Sequence, residues 1–194
     1  VIGEAPVTLD MNTVGSSVAD NTIRNSIIAV FVASLFVMLY IIYAFRNIEQ
    51  SYLYAIAAIL TLIHDVLVVM GLFILISIFI GSVVNSIFIV GILTVIGYSV
   101  NDTIVIFDRI RENLTVNKSM EFMNVVNQSV KESITRSLGT SITTSIVIMS
   151  MLLFGGQSLR DFLLVLLLGV IVGTYSSIFV ASNLLLSWKY GIKK

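Results

Sequence analysis

Five stretches of the sequence are long and apolar enough to cross a lipid bilayer, and they constrain the fold of this chain more than any other feature. A spanning helix needs about 20 mainly apolar residues, because each adds about 1.5 Å and the hydrocarbon layer is about 30 Å thick. The predicted spans cover residues 27–45, 52–79, 86–107, 138–154 and 162–188. With 57% hydrophobic and only 11% charged residues, the chain lacks the charged surface of a soluble domain. We therefore predict an all-α membrane protein.

Two polar segments lie outside these spans. Residues 1–25 begin without Met and have a mixed composition, so we interpret them as the remnant of an extracytoplasmic domain in an N-terminally truncated chain, with residues 26–194 as the transmembrane domain. Between the third and fourth spans, Met123, Val126 and Val130 recur at helical spacing within a polar stretch. This pattern predicts a short cytoplasmic interfacial helix over about residues 119–134.

The distribution of basic residues predicts the orientation. If the first span ends in the cytoplasm, nine of the eleven Lys and Arg residues lie on the cytoplasmic side, leaving Arg24 and Arg160 outside. Lys and Arg in short connections are enriched on the cytoplasmic side of membrane proteins. We therefore predict a multi-pass protein with its N-terminal segment extracytoplasmic and its C-terminus cytoplasmic.

The residue types that bind cofactors and nucleic acids are scarce. The chain has no Cys, a single His and a formal net charge of zero, and no glycine-rich phosphate loop or nucleophile triad is present. These features argue against a metal site, a bound nucleotide and nucleic-acid binding. We predict that the chain is not an enzyme and carries no cofactor.

Two aspartates fall inside predicted spans, Asp65 in the second and Asp102 in the third. A carboxylate in the hydrocarbon costs several kcal/mol or changes its protonation state, so each is a functional hypothesis by default. The alternative is a hydrogen bond that only joins helices. The sequence offers no partner for Asp65. The adjacent His64 suggests a proton relay, but neighbouring helix residues point about 100° apart, so a packing role is an equal alternative.

Asp102 has more polar surroundings than Asp65. Asn101 and Thr103 flank it, and the fourth span begins with Arg136 followed by hydroxyl residues that include Thr140. A guanidinium approaching Asp102 would favour the ionised carboxylate until something moves, which is the two-state behaviour that proton coupling requires. The alternative for Arg136 is an interfacial anchor that extends to lipid headgroups.

Small residues recur every four positions in the fifth span, at Gly169, Gly173 and Ser177. Such a face lets another helix backbone approach closely. We predict a helix-packing surface, and its functional alternative is a sliding contact in a conformational cycle.

Several motifs together resemble the SecF family of bacterial protein export. They are LIHDV at 62–66, IGYSVNDTIVIFDRIRE at 96–112, RSLGTSITT at 136–144, FGG at 154–156 and GVIVGTYSS at 169–177. The resemblance covers the chain from about residue 25 to its end.

The resemblance implies five helices of a six-helix half of an RND-type transporter in the bacterial inner membrane. It further implies assembly with SecD and the SecYEG channel, with YajC and YidC as further candidate partners, and use of proton flow to move preproteins. The family's proton path maps onto Asp102 and Arg136, and Asp65 matches its His-Asp motif. Two alternatives remain open: an RND-type exporter of lipids or small molecules, and a structural membrane subunit without proton coupling.

Overall fold

The computed structural model describes residues 16–46, 50–82 and 84–191, and within these ranges it contains helices and no strand. Five helical segments there are long and apolar enough to cross a membrane. The predicted all-α fold class is therefore confirmed. The helices are α1 Ser16–Ala44, α2 Ser51–Ile80, α3 Ser86–Val116, α4 Phe122–Phe154, α5 Arg160–Ser176 and α6 Ser182–Gly191.

Helix boundaries differ from the prediction at both ends of the bundle. α1 begins at Ser16, inside the segment predicted as a domain remnant, whereas residues 1–15 of that segment lie outside the described residues. α3 runs to Val116, past the predicted end at residue 107. The charged residues after 107 point into water or pair with one another, so they end the apolar stretch without ending the helix.

The largest difference lies in α4, which is one continuous helix of 33 residues. The segment 119–134 that the sequence predicts as a separate interfacial helix forms the first part of α4, with Phe122 as its first helical residue. No proline lies between Phe122 and Leu138, so every residue there keeps the backbone N–H that the helix needs. A helix of this length spans about 50 Å, well beyond the hydrocarbon thickness.

The predicted fifth span is helical throughout but not uniformly α-helical. α5 passes through a π-helical turn at Ser177–Ala181 and continues as α6. A π-turn widens the helix by one residue and is found frequently at functional sites. The sequence contains no signal for this turn.

Helix α5 lies at the centre of the bundle, packed against α2, α3 and α4. Its glycines allow a close approach to α3. A Cβ atom added to Gly169 would lie 2.8 Å from the Cβ of Val95, and one added to Gly173 would lie 3.1 Å from the Cβ of Ser99. Two helices that touch this closely bring the polar groups of their facing sides within hydrogen-bond distance.

An aromatic cluster joins α2 and α3 to the end of α1. The Phe45 and Tyr54 rings stack at 5.2 Å, and Phe107 packs edge-on to Tyr54 at 5.4 Å. Arg111 lies in the same region of α3, and its guanidinium donates to the Ala44 carbonyl oxygen at 3.1 Å. These contacts fix the end of the bundle at which Arg136 also lies.

Candidate functional site

Asp65 lies in the centre of the bundle and is almost fully buried, with 1% of its surface exposed. Its Oδ2 accepts a hydrogen bond from the Ser176 hydroxyl on α5 at 2.7 Å and another from the Ser99 hydroxyl on α3. The partners of Asp65 that the sequence did not offer are thus two hydroxyls, one on α3 and one on α5. Helical periodicity could not reveal these partners, because they lie 34 and 111 residues away in the chain.

His64 contributes a third polar contact to the same carboxylate. Its Nδ1 lies 3.0 Å from Asp65 Oδ1, although the two residues are adjacent on α2. The His64 side chain is 40% exposed, in contrast to the buried Asp65. Both carboxylate oxygens of Asp65 thus have polar partners, and the carboxylate ties α2 to α3 and α5.

Asp102 lies on α3 and is also buried, but its hydrogen bonding is incomplete. Its Oδ1 accepts from the Ser137 hydroxyl of α4 at 2.8 Å. Its Oδ2 is inaccessible to solvent and has no hydrogen-bond partner within the described part of the chain. A buried oxygen without a partner is costly when the carboxylate is charged. Protonation of Oδ2 removes the cost of burying the charge, and the arrival of a donor satisfies the charged oxygen.

Arg136 does not meet Asp102 in this conformation. Its side chain is exposed, and across residues 16–46, 50–82 and 84–191 no ion pair joins it to a carboxylate. The adjacent residue, Ser137, faces α3 instead, since neighbouring helix positions point about 100° apart. The two residues are therefore neighbours across the α3–α4 contact rather than a bonded pair.

The other polar residues predicted at the site divide into two groups. Thr103 is buried, and its hydroxyl lies 2.8 Å from that of Ser177 on the π-turn. Asn101 and Thr140 are exposed, and the Thr140 hydroxyl donates to the Arg136 carbonyl oxygen of its own helix at 3.0 Å. Only Thr103 of these three takes part in the interior hydrogen bonds.

Residues 174, 176 and 177, at the end of α5 and the start of the π-turn, bond to Asp65 and to the surroundings of Asp102. Ser176 bonds to Asp65, and the Ser177 hydroxyl donates to the Ser99 carbonyl oxygen at 3.4 Å. On the other side, Thr174 bonds to Ser141, whose hydroxyl donates to the Ser137 carbonyl oxygen at 2.8 Å. Movement of α5 would change the surroundings of both carboxylates.

The chemistry available here is proton binding and hydrogen-bond exchange. In the segments that the structure describes, no three His, Cys, Asp or Glu residues converge as metal ligands would. The interior polar groups are two carboxylates surrounded by Ser and Thr hydroxyls, which are both donors and acceptors.

We expect Ser99→Ala combined with Ser176→Ala to destabilise the bundle by about 1–3 kcal/mol, because Asp65 would then be buried with an unsatisfied oxygen. Unfolding in mild detergent measures the change. Ser150→Ala is the control, since that exposed hydroxyl donates only to the Ile146 carbonyl oxygen of its own helix. Equal effects of the double variant and the control would contradict the role of the two hydroxyls.

The family described as "Protein export membrane protein SecD/SecF, C-terminal" matches residues 2–191. A protein translocase subunit SecF of Thermobaculum terrenum is 42% identical over 93% of this chain and 57% of its own length. A SecF of Anaerolinea thermophila is 38% identical over 94% of this chain and 60% of its own length. The chain thus spans somewhat more than half of these relatives.

Solved structures show the same arrangement of helices. A crystal structure of SecDF from Thermus thermophilus, described as a translocon-associated membrane protein, superposes with a TM-score of 0.78 and is 38% identical. The match covers 91% of this chain and 23% of that protein. A second SecDF structure, in a form called super-membrane-facing, has a TM-score of 0.79 and 37% identity, and covers 92% of this chain and 23% of that one.

Proposed function

The chain belongs to the family of SecD/SecF protein export membrane proteins, and from that premise we propose that it is the membrane domain of a SecF-type subunit. In this proposal it works with SecD to couple proton flow to the passage of preproteins through the SecYEG channel. The membrane is the bacterial inner membrane, with the C-terminus of the chain in the cytoplasm. YajC and YidC are further candidate partners, and protons and the preprotein are the moving species.

The difference between the two aspartates is the observation that carries this proposal. Asp65 has partners on both oxygens, whereas one oxygen of Asp102 is buried and has no hydrogen-bond partner among the described residues. A fully bonded carboxylate is held in one state, and a half-bonded one gains most from taking up or losing a proton. Asp102 is therefore the proton carrier in this proposal, and Asp65 anchors the helices around it.

In this proposal, Arg136 stabilises the second state of Asp102, in which the carboxylate is ionised. When Asp102 is protonated, Oδ2 needs no cation, and Arg136 remains at the exposed rim of α4. When the proton leaves, the charged carboxylate attracts the guanidinium, which can donate to the bare oxygen. A shift of α4 toward α3 follows, and Thr174 of α5 transmits it to the Asp65 side of the bundle.

The energy for this cycle comes from the membrane rather than from a nucleotide. One proton charge crossing the membrane potential releases about 2.3 kcal/mol per 100 mV. The sequence has no phosphate-binding loop. Proton entry and release at Asp102 is the step at which this energy would be used.

The relatives that are named SecDF support assembly with a SecD-type partner. The Thermus thermophilus protein combines SecD and SecF in one chain, of which this chain matches 23%. The polar residues Asn101 and Thr140 are exposed on the described bundle, although they lie within apolar spans. A second helical half that covers Asn101 and Thr140 would remove both side chains from lipid, where polar side chains are costly.

Preprotein translocation into inverted membrane vesicles tests the proposed function. Vesicles that contain this protein and its SecD partner are expected to translocate a signal-bearing preprotein faster when a proton gradient is present. An ionophore that dissipates the gradient should remove the stimulation, and vesicles without the complex should not show it. Stimulation that is independent of the complex would contradict the proposal. Gradient-driven efflux of a lipid or dye, without an effect on preproteins, would favour the exporter alternative.

A further inference from the structure

A cavity of about 320 Å³ lies at the connection between α4 and α5. The connection begins with the glycines of the motif at 154–156 and continues as one turn of 3-10 helix, Gln157–Leu159. Apolar side chains of both helices line the cavity, together with Gly156, Gln157 and Arg160. Neither the motif nor the cavity has a part in the proposed proton cycle.

The charge of this cavity comes from Arg160. Its side chain is exposed, and no ion pair engages it in the part of the chain that the structure describes. The neighbouring carboxylate of Asp161 does not line the cavity and accepts instead from the Asn85 amide at 3.4 Å. A guanidinium presents five N–H donors in a planar fork that matches the oxygens of a phosphate. The cavity therefore favours an anion with several oxygens.

The two glycines of the connection differ in what they require. A Cβ atom added to Gly155 would overlap the Met151 carbonyl oxygen, so packing demands glycine there. Gly156 has an ordinary extended backbone, with φ −75° and ψ 152°, and an added Cβ would lie 3.9 Å from the Ser158 hydroxyl oxygen. Neither backbone strain nor packing therefore requires glycine at 156. Because Gly156 borders the cavity, its missing side chain leaves room for a ligand to approach the backbone.

Large exposed apolar side chains lie beside the charged part of the cavity. Leu153, which lines it, is 70% exposed, and the adjacent Phe154 is 90% exposed. Both belong to the last turn of α4, where the apolar span ends. Lipid acyl chains contact such side chains inside the hydrocarbon layer, and headgroup phosphates lie just beyond it. A ligand with an anionic head and apolar chains matches both parts of the cavity.

We propose that this cavity binds the headgroup of an anionic phospholipid of the phosphatidylglycerol type. Arg160 pairs with the phosphate through charge-assisted hydrogen bonds, and the Gln157 amide donates to a phosphate or glycerol oxygen. A zwitterionic headgroup fits less well, because the described residues of the lining include no carboxylate for its ammonium group. In the proposed orientation the lipid belongs to the extracytoplasmic leaflet. The inference goes beyond the proposed function, since lipid binding here does not depend on proton coupling.

Native mass spectrometry of the complex assembled with its SecD partner tests the site. The complex is titrated with phosphatidylglycerol, with phosphatidylethanolamine of the same acyl chains, and with inorganic phosphate. Arg160→Gln removes the charge, whereas Gly156→Val fills the space beside the backbone and leaves Arg160 in place. Arg24→Gln is the matched control, because Arg24 is also exposed and lies on the same side of the membrane in the proposed orientation, but does not line the cavity. Gly156→Ala replaces Gly156→Val should the larger side chain prevent assembly.

We expect the first phosphatidylglycerol to bind about tenfold more weakly to Arg160→Gln and to Gly156→Val than to the unmodified complex, and with unchanged affinity to Arg24→Gln. Undiminished binding by Arg160→Gln would overturn the site. A loss in Arg160→Gln without a loss at position 156 would also overturn it, since the arginine would then act outside the cavity. Equal affinity for phosphatidylethanolamine would contradict selection of an anionic lipid, and displacement by inorganic phosphate would identify a site for soluble anions instead.

Discussion

Replacing Asp102 by Asn is expected to abolish the proton-gradient stimulation of preprotein export, lowering the stimulated rate at least tenfold to the rate without a gradient. Asn preserves the shape of the side chain and its acceptor for the Ser137 hydroxyl, which bonds Oδ1 at 2.8 Å. It can neither bind nor release the transported proton, so the site stays in the equivalent of its protonated state. Export kinetics with and without an ionophore measure the effect.

Asp161→Asn is the matched control for this variant. Asp161 lies in the first turn of α5, on a different helix from Asp102, and its carboxylate accepts from Asn85 at 3.4 Å. The control is expected to keep the full stimulation, and both variants are expected to copurify with SecD. Unchanged stimulation in Asp102→Asn, or an equal loss in the control, would contradict the role assigned to Asp102.

Replacing Gly169 by Ala is expected to destabilise the bundle by about 1–3 kcal/mol or to prevent its assembly, because the site is already in close contact. The new Cβ would lie 2.8 Å from the Cβ of Val95, which is shorter than any normal contact between carbon atoms. Valine is branched at Cβ and has little rotamer freedom in a helix, so the backbone of α3 or α5 would have to move. Yield and thermal unfolding of the purified complex measure this effect.

Gly139→Ala provides the comparison, since a Cβ at that position in α4 meets nothing within 4 Å. This variant is expected to be neutral or slightly stabilising, because Ala favours the helix over Gly by about 1 kcal/mol. Adding Val95→Ala to Gly169→Ala should restore part of the lost stability, since it removes the contacting methyl groups. Equal behaviour of the two single variants would show that close packing at Gly169 is not required.

The helices were predictable because span length and hydrophobicity are local properties of the sequence. All five apolar stretches are helical in the structure. The continuous α4 was missed because charged residues between positions 119 and 136 suggest a break, whereas a helix continues through charged residues and loses a backbone hydrogen bond only at proline. The π-turn at Ser177–Ala181 has no local signal in the sequence, and it lies in contact with α3, which is distant in the chain.

The site was only partly predictable from the sequence. The apolar context identified both aspartates, since charged residues stand out there. Their hydrogen-bond partners depend on which helices meet and at what rotation, and these are long-range properties. The serine series of α4 carried a usable signal, because Ser133, Ser137 and Ser141 share one face and Arg136 lies beside it. Because Arg136 points away from that face, Ser137 rather than Arg136 contacts Asp102.

Proton flux into liposomes containing the purified full-length complex is the most direct measurement of the central claim. An imposed gradient with an internal pH-sensitive dye reports the flux without requiring preprotein or the channel. We expect gradient-driven flux with the unmodified complex and with Asp161→Asn, and flux at the level of empty liposomes with Asp102→Asn. Equal flux through the Asp102→Asn complex and the unmodified one would contradict the assignment of Asp102 as the proton carrier.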